Sequence, residues 1–167
     1  MSCFFGKYRG KVEQNFDPES RGRIQVSVPE VLGTGRLSWA MPCVPYAGIQ
    51  AGLYAVPPKN ANIWVEFEGG NPERPIWTGC FWGLGETPAL ALVPPQPVQH
   101  ILLQTTGQNT LHISDALDPT GGILLKTAKG AMIVINDVGI TITNGKGASI
   151  ALVGNMVSIN GTALTVI

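Results

Sequence analysis

The sequence predicts an all-β protein in two parts: a small closed barrel over residues 1–85, and a ribbon of very short strands over residues 100–167 that only further copies of the chain complete. Three observations predict it. Apolar residues alternate with polar or small ones in the patterned stretches, which is the period of strands and not of helices. Glycines at 122, 130, 139, 145 or 147, 154 and 161 cut the C-terminal runs short, giving a degenerate octad with room for one strand and one tight turn per repeat. Of the 22 charged residues, 15 lie in Met1 to Gly85, so the second half is poor in charge.

Taken in order, Phe4 to Asn15 reads as a first strand with basic residues at 7, 9 and 11 on a solvated face. Asp17 to Gly22 is a turn, in which Pro18 fixes φ and Gly22 frees it. Arg23 to Val28 alternates as a second strand and stops at Pro29. Ser38 to Tyr46 is extended, but Pro42 and Pro45 confine it to an edge or a bulge. Gly52 to Val56 is a short strand. Asn60 to Glu68 is the clearest of all, with Ile63, Val65 and Phe67 on one face and Asn62, Trp64, Glu66 and Glu68 on the other. After the turn at Gly69 to Pro72, Arg74 to Trp82 forms the last strand of this half. Five or six strands with no helical window predict a small closed barrel.

Residues 86–99 carry Pro88, Pro94, Pro95 and Pro97, a density that makes a stiff, extended connector and marks the domain boundary. His100 to Asp115 opens the second part, and Ala116 to Thr120 is a loop. The runs that follow place Ile133, Ile135, Ile140, Ile142, Ile150, Leu152, Val157 and Ile159 as inward residues shared between chains. A lone meander of such strands leaves its edges unpaired and one apolar face wet. Identical copies around a common axis remove that fault, so this part is predicted to be an intertwined β-prism or β-helix.

The composition excludes several classes of function. Hydrophobic residues make up 44% of the chain, enough for a core, and eleven Lys+Arg balance eleven Asp+Glu, so neither a polyanion nor a membrane surface is indicated as partner. Cys3, Cys43 and Cys80 are widely spaced without a C-x-x-C pair and read as reduced, buried thiols. No charged-then-apolar leader is present and no apolar run approaches the ~18–20 residues that span a bilayer, so synthesis and folding in the cytoplasm are expected. The rings at 39, 64, 77, 81 and 82 are expected in the barrel core or at subunit contacts, and no nucleic-acid partner is expected of a barrel with eight basic and seven acidic residues; a trimeric OB-fold module that binds glycan or nucleic acid is the alternative reading.

Catalytic signatures are missing too. Asn144 to Ser149 imitates a phosphate loop, but Gly139 stands one residue too far away and Gly147 follows Lys146 where Ser or Thr is needed, so it reads as a turn. No G-x-S-x-G, H-E-x-x-H or calcium loop occurs, and Glu66 and Glu68 share a strand face without an acid partner. No catalysis and no cofactor are expected.

Four segments carry a resemblance: GKYRGKV, GRIQVSVPEVLG, SWAMPCVPYAG and GLYAVPPKNANIWVEFEGGNPERPIWTGCFWG. They resemble the OB-fold domain of phage baseplate assembly protein V and of VgrG-type spikes of contractile injection systems, most specifically from Trp64 to Gly79. His100 to Asp115, with Gly107-Gln108-Asn109-Thr110-Leu111, resembles the start of the needle in that family. The resemblance implies a homotrimeric central spike: an OB-fold barrel, a Pro-rich collar and a trimeric β-helix that pierces the target envelope in transient contact with its membrane. It implies a trimeric hub at the OB-fold end, expected as a separate chain because this sequence begins at the barrel. Some spikes of the family end in His-x-His motifs that hold iron, whereas here His100 and His112 lie far from the end, so no metal is expected. An apolar terminus in three copies, formed by Leu164, Val166 and Ile167, is expected instead to seat a PAAR-like tip protein.

Overall fold

A computed structural model describes residues 3–92, 98–117, 121–161 and 163–166. The chain divides into two compact units, Met1–Glu86 and Thr87–Ile167. The first holds β1 (Tyr8–Gln14), β2 (Ile24–Ser27), β3 (Leu37–Pro42), the two-residue strands β4 (Ala47–Gly48) and β5 (Ala51–Gly52), β6 (Asn62–Phe67) and β7 (Pro75–Phe81). Five of these close into a barrel in the order β1-β2-β3-β7-β6. Neighbours run antiparallel except at the closure, where β3 and β7 are parallel over Met41 and Pro42 opposite Ile76 and Trp77.

Alternation puts one parity of each strand inside. Val12, Ile24, Val26, Val28, Ala40, Ile63 and Val65 are fully buried, with Phe67 and Trp77 nearly so. The indole of Trp77 keeps its one donor satisfied by giving it to the Gly22 carbonyl at 3.2 Å. A bulge helps the sheet curve: Trp64 faces Gly79 and Val65 faces Trp77, which leaves Thr78 unopposed.

The turn after β1 is organised by a buried carboxylate. Asp17 accepts the backbone N–H groups of Glu19, Arg21 and Arg23 at 2.8 to 3.1 Å, and the Arg23 guanidinium at 2.8 Å. The Arg23 hydrogen bond, helped by the three N–H groups and opposed by burial, holds the Asp17 carboxyl well below the usual carboxylate range. Its stabilising contribution is therefore complete above the unfolded value of ~3.9 and is lost as the pH falls from there through the depressed folded value. Asp17→Asn is expected to lower the thermal midpoint of the barrel by more than ~5 °C at pH 7. The wild-type and variant midpoints, followed by near-ultraviolet circular dichroism of the tryptophans, converge only in strong acid.

Three expectations are corrected here. A four-residue helix, α1 (Pro29–Leu32), separates β2 from β3; Pro29 ends the strand and its fixed φ starts the helical turn. The strand expected over Gly52 to Val56 is confined to Ala51–Gly52, paired with β4 in a small hairpin. Cys3, Cys43 and Cys80 are free but exposed, not buried: Cys3 lies in the N-terminal segment before β1, Cys43 follows β3 directly, and Cys80 is the penultimate residue of β7.

In the second unit one turn of 3-10 helix, Ala89–Leu92, precedes β8 (His100–Gln104); Pro94, Pro95 and Pro97 lie outside the described residues. Then come β9 (Thr110–Ser114), β10 (Gly122–Lys126), β11 (Met132–Asn136), β12 (Gly139–Thr143), β13 (Ser149–Val153), β14 (Met156–Ile159) and β15 (Leu164–Val166). All eight form one antiparallel meander, each strand paired with the next. Within the chain each strand thus pairs with its sequence neighbours.

Candidate assembly interface

The register of the meander decides which residues share a face. Ile101, Ile113, Ile123, Ile135, Ile140, Leu152 and Val157 stand opposite one another from strand to strand, and Val166 continues the column at its register position. Beside it runs a second column, Leu103, Leu111, Leu125, Ile133, Ile142, Ile150, Ile159 and Leu164. No polar residue interrupts either column. Seven strand spacings of ~4.8 Å make this aliphatic stripe roughly 34 Å long.

Within one chain the stripe stays wet. Most of its residues are exposed, from 36% at Ile140 to 62% at Ile101, with Leu164 exposed as well; Leu111 and Ile133 are half-buried. Complete burial of such a side chain is worth ~1.5–3 kcal/mol, so roughly 1 kcal/mol per residue is left for a partner surface to recover. The opposite face is different. Its central column begins with Leu102, His112, Leu124 and Val134 and turns small and polar with Thr141, Ala151 and Ser158. One face thus asks for an apolar partner and the other tolerates water.

The residues expected to point inward, Ile133, Ile135, Ile140, Ile142, Ile150, Leu152, Val157 and Ile159, all fall on the stripe. The register adds six more from β8, β9 and β10: Ile101, Leu103, Leu111, Ile113, Ile123 and Leu125. Of the expected tip residues, Leu164 and Val166 belong to β15, and Ile167 lies outside the described residues.

Turns at the ends of the strands are held by asparagine. Asn144 Oδ1 accepts the N–H groups of Lys146 at 2.8 Å and Ala148 at 3.1 Å, so the amides that an anion-binding loop would offer are already taken. Asn136 does the same for Val138 and Gly139, and Asn160 accepts the Ser149 N–H at 2.9 Å. Sequence reasoning noted the glycines of these turns and missed the asparagines, although the Asn-Gly pairs at 144–145 and 160–161 were there to be read.

His100 and His112, twelve residues apart, are brought together. Their rings stack at 5.1 Å, with Nδ1 of His100 and Nε2 of His112 3.0 Å apart. Burial, and then the neighbouring His100, push the His112 imidazole below its ordinary value, which favours a neutral ring. Among the described residues no three His, Cys, Asp or Glu side chains converge as metal ligands.

The aromatic rings of the barrel are engaged from within. Trp64 and Phe81 pack with tilted rings 4.8 Å apart, with the Arg9 guanidinium over both at 5.4 and 5.0 Å. Trp39 carries Arg23 at 5.3 Å, and Trp77 is core. Only Trp82 of the five expected rings is mostly exposed.

A barrel closed β3 to β7 in parallel, followed by a sheet that leaves a continuous aliphatic stripe for other copies, can be compared with known families. Residues 8–82 match the type VI secretion system/phage-baseplate injector OB domain. Residues 100–165 match the phage baseplate V C-terminal trimerisation domain. The chain belongs to the phage baseplate V family. The comparison with curated proteins returns no match. As a baseplate V protein the chain is a homotrimer, held by residues 100–165, and takes its place in a phage-tail-like particle. Both matched domains are structural parts of such particles. Among the described residues, no helix of this baseplate V protein is long and apolar enough to cross a membrane.

Proposed function

We propose that this protein is the central spike of a contractile injection apparatus, in which three aliphatic stripes meet on the threefold axis and three meanders form the walls of a triangular β-helix. The observation that carries this reading is the unbroken double column over eight strands, since a load-bearing needle needs a dry seam along its full length. The eight residues from Ile133 to Ile159 predicted from sequence are the lower part of that seam, and the six residues of β8 to β10 are its upper part. Within each wall the thrust of a contracting sheath is shared by many backbone hydrogen bonds in parallel. Between walls it is shared by interdigitated aliphatic side chains.

In this reading the barrels face a trimeric hub, and β15 ends the needle. The exposed Leu164 is the described part of a small apolar platform for a PAAR-like tip protein, and the capped tip makes the transient contact with the target membrane. Sedimentation velocity tests the needle: an elongated trimer is expected, and a compact trimer would overturn it. Deleting residues 149–167 tests the platform. Capture of the tip protein is expected to be lost while the near-ultraviolet signal of the barrel persists. Undiminished capture would remove the platform from the account.

A further inference from the structure

Between Arg36 and Lys59 the chain carries no charged side chain, although the first half holds most of the charge. The hairpin of β4 and β5 lies in this stretch. Its tip presents Ile49 at 98% exposure, flanked by Tyr54 at 77% and Tyr46 at 62%. Beside the tip is a cavity of about 480 Å³ whose walls include Pro42, Val44, Val56 and Trp77 and the hairpin itself, with Ser20 and Arg21 as its polar part. A cavity of that size is far above the ~30 Å³ of one liquid water and accepts whole side chains. Ile49, Leu53, Tyr46 and Tyr54, all exposed on this one short segment beside the cavity, make a patch and not a singly exposed apolar side chain.

We propose that this hairpin is a second contact between copies of the chain, in which Ile49 of one barrel enters the cavity of the next, head to tail around the threefold axis. The inference rests on the trimer formed by residues 100–165. That domain tethers three barrels, so each hairpin meets a neighbour at the ~mM effective concentration of a linked module. A knob and a matching hole on every copy make a heterologous contact, and such a contact is satisfied without remainder when it closes a ring. The hairpin itself carries no charge, so its entry brings no like charge against the Arg21 of the cavity wall. The tyrosines suit the rim, because each offers a large apolar ring and one hydroxyl that reaches water. Three uncovered patches would make the free trimer prone to aggregate, and mutual coverage removes that liability before any other protein is met.

The test uses the purified full-length chain, so that only copies of itself are available. Ile49→p-benzoylphenylalanine is irradiated, and Tyr54→p-benzoylphenylalanine serves as a second probe in case the bulkier ring does not enter the cavity. Covalent dimers and trimers are expected on a denaturing gel, with cross-links mapping to residues 42–56 of the adjacent copy. In the unsubstituted protein, hydroxyl-radical labelling of Ile49 and Tyr54, each normalised to the intrinsic reactivity of its side chain, is expected to be several-fold slower than that of Phe16, which is 73% exposed. Protein that sediments as a trimer but gives only intrachain products from both probes, with fast labelling at Ile49, overturns the inference and leaves the trimer standing. Protein that sediments as a monomer overturns both.

Discussion

Ile140→Asp is expected to abolish the trimer. Ile140 sits mid-column between Ile135 and Leu152, and three copies meeting on an axis would bring three carboxylates into one apolar layer. An uncompensated buried charge costs several kcal/mol, and this one recurs in each chain with like-charge repulsion added. The alternative, protonating the three carboxyls, also costs free energy at neutral pH. Sedimentation equilibrium should show the trimer wholly dissociated or the second unit unfolded. Thr141→Asp is the control. Thr141 is the next residue along β12 but stands on the opposite face, between Val134 and Ala151, so the same charge there stays out of both aliphatic columns and the trimer is expected to persist. If both variants stay trimeric, the stripe is not the seam.

That pair of neighbouring residues also shows how much could be read beforehand. In β12 the alternation Ile140-Thr141-Ile142-Thr143 has one parity that is plainly apolar, and the structure follows it. In β8 and β10, His-Ile-Leu-Leu-Gln and Gly-Ile-Leu-Leu-Lys, three consecutive aliphatic residues occupy both parities. Only pairing to β9 and β11, where Leu111, Ile113, Ile133 and Ile135 are already committed, decides that Ile101, Leu103, Ile123 and Leu125 join the stripe. Register is a property of neighbours, and a single strand does not contain it.

The barrel tells the same story at a smaller scale. β6 was legible because one of its faces is fully apolar and the other polar or aromatic. α1 was not, since Pro29-Glu30-Val31-Leu32 is too short for any helical period to show. Asp17 was read as part of a turn, which is correct, but its burial depends on Arg23 returning from the next strand. The cysteines misled because the usual burial of a free thiol was taken as the rule, while the N-terminal segment (Cys3) and strand ends (Cys43, Cys80) left them in water.

The second large effect is expected from a methyl group. Gly139 opens β12 with φ of +155°, and a Cβ built there would lie 2.1 Å from the Leu152 carbonyl oxygen and 3.2 Å from the Val153 side chain. The oxygen belongs to the backbone of β13 and cannot swing away, so Gly139→Ala must push β12 and β13 apart. That separates Ile140 from Leu152, at the centre of one aliphatic column. Unfavourable backbone geometry costs ~1–3 kcal/mol and overpacking ~1–3 kcal/mol more, in every copy. Gly154→Ala supplies the comparison: its φ of +58° is also left-handed, but nothing lies within 4 Å of the added Cβ. It should lose only the ~1–2 kcal/mol of the left-handed conformation. Thermal unfolding of both variants at matched concentration is expected to place Gly139→Ala well below Gly154→Ala, and a shifted trimer equilibrium should appear only in the former. Equal midpoints would mean that β12 and β13 are not held as close as the register requires, and the unbroken column would lose its middle.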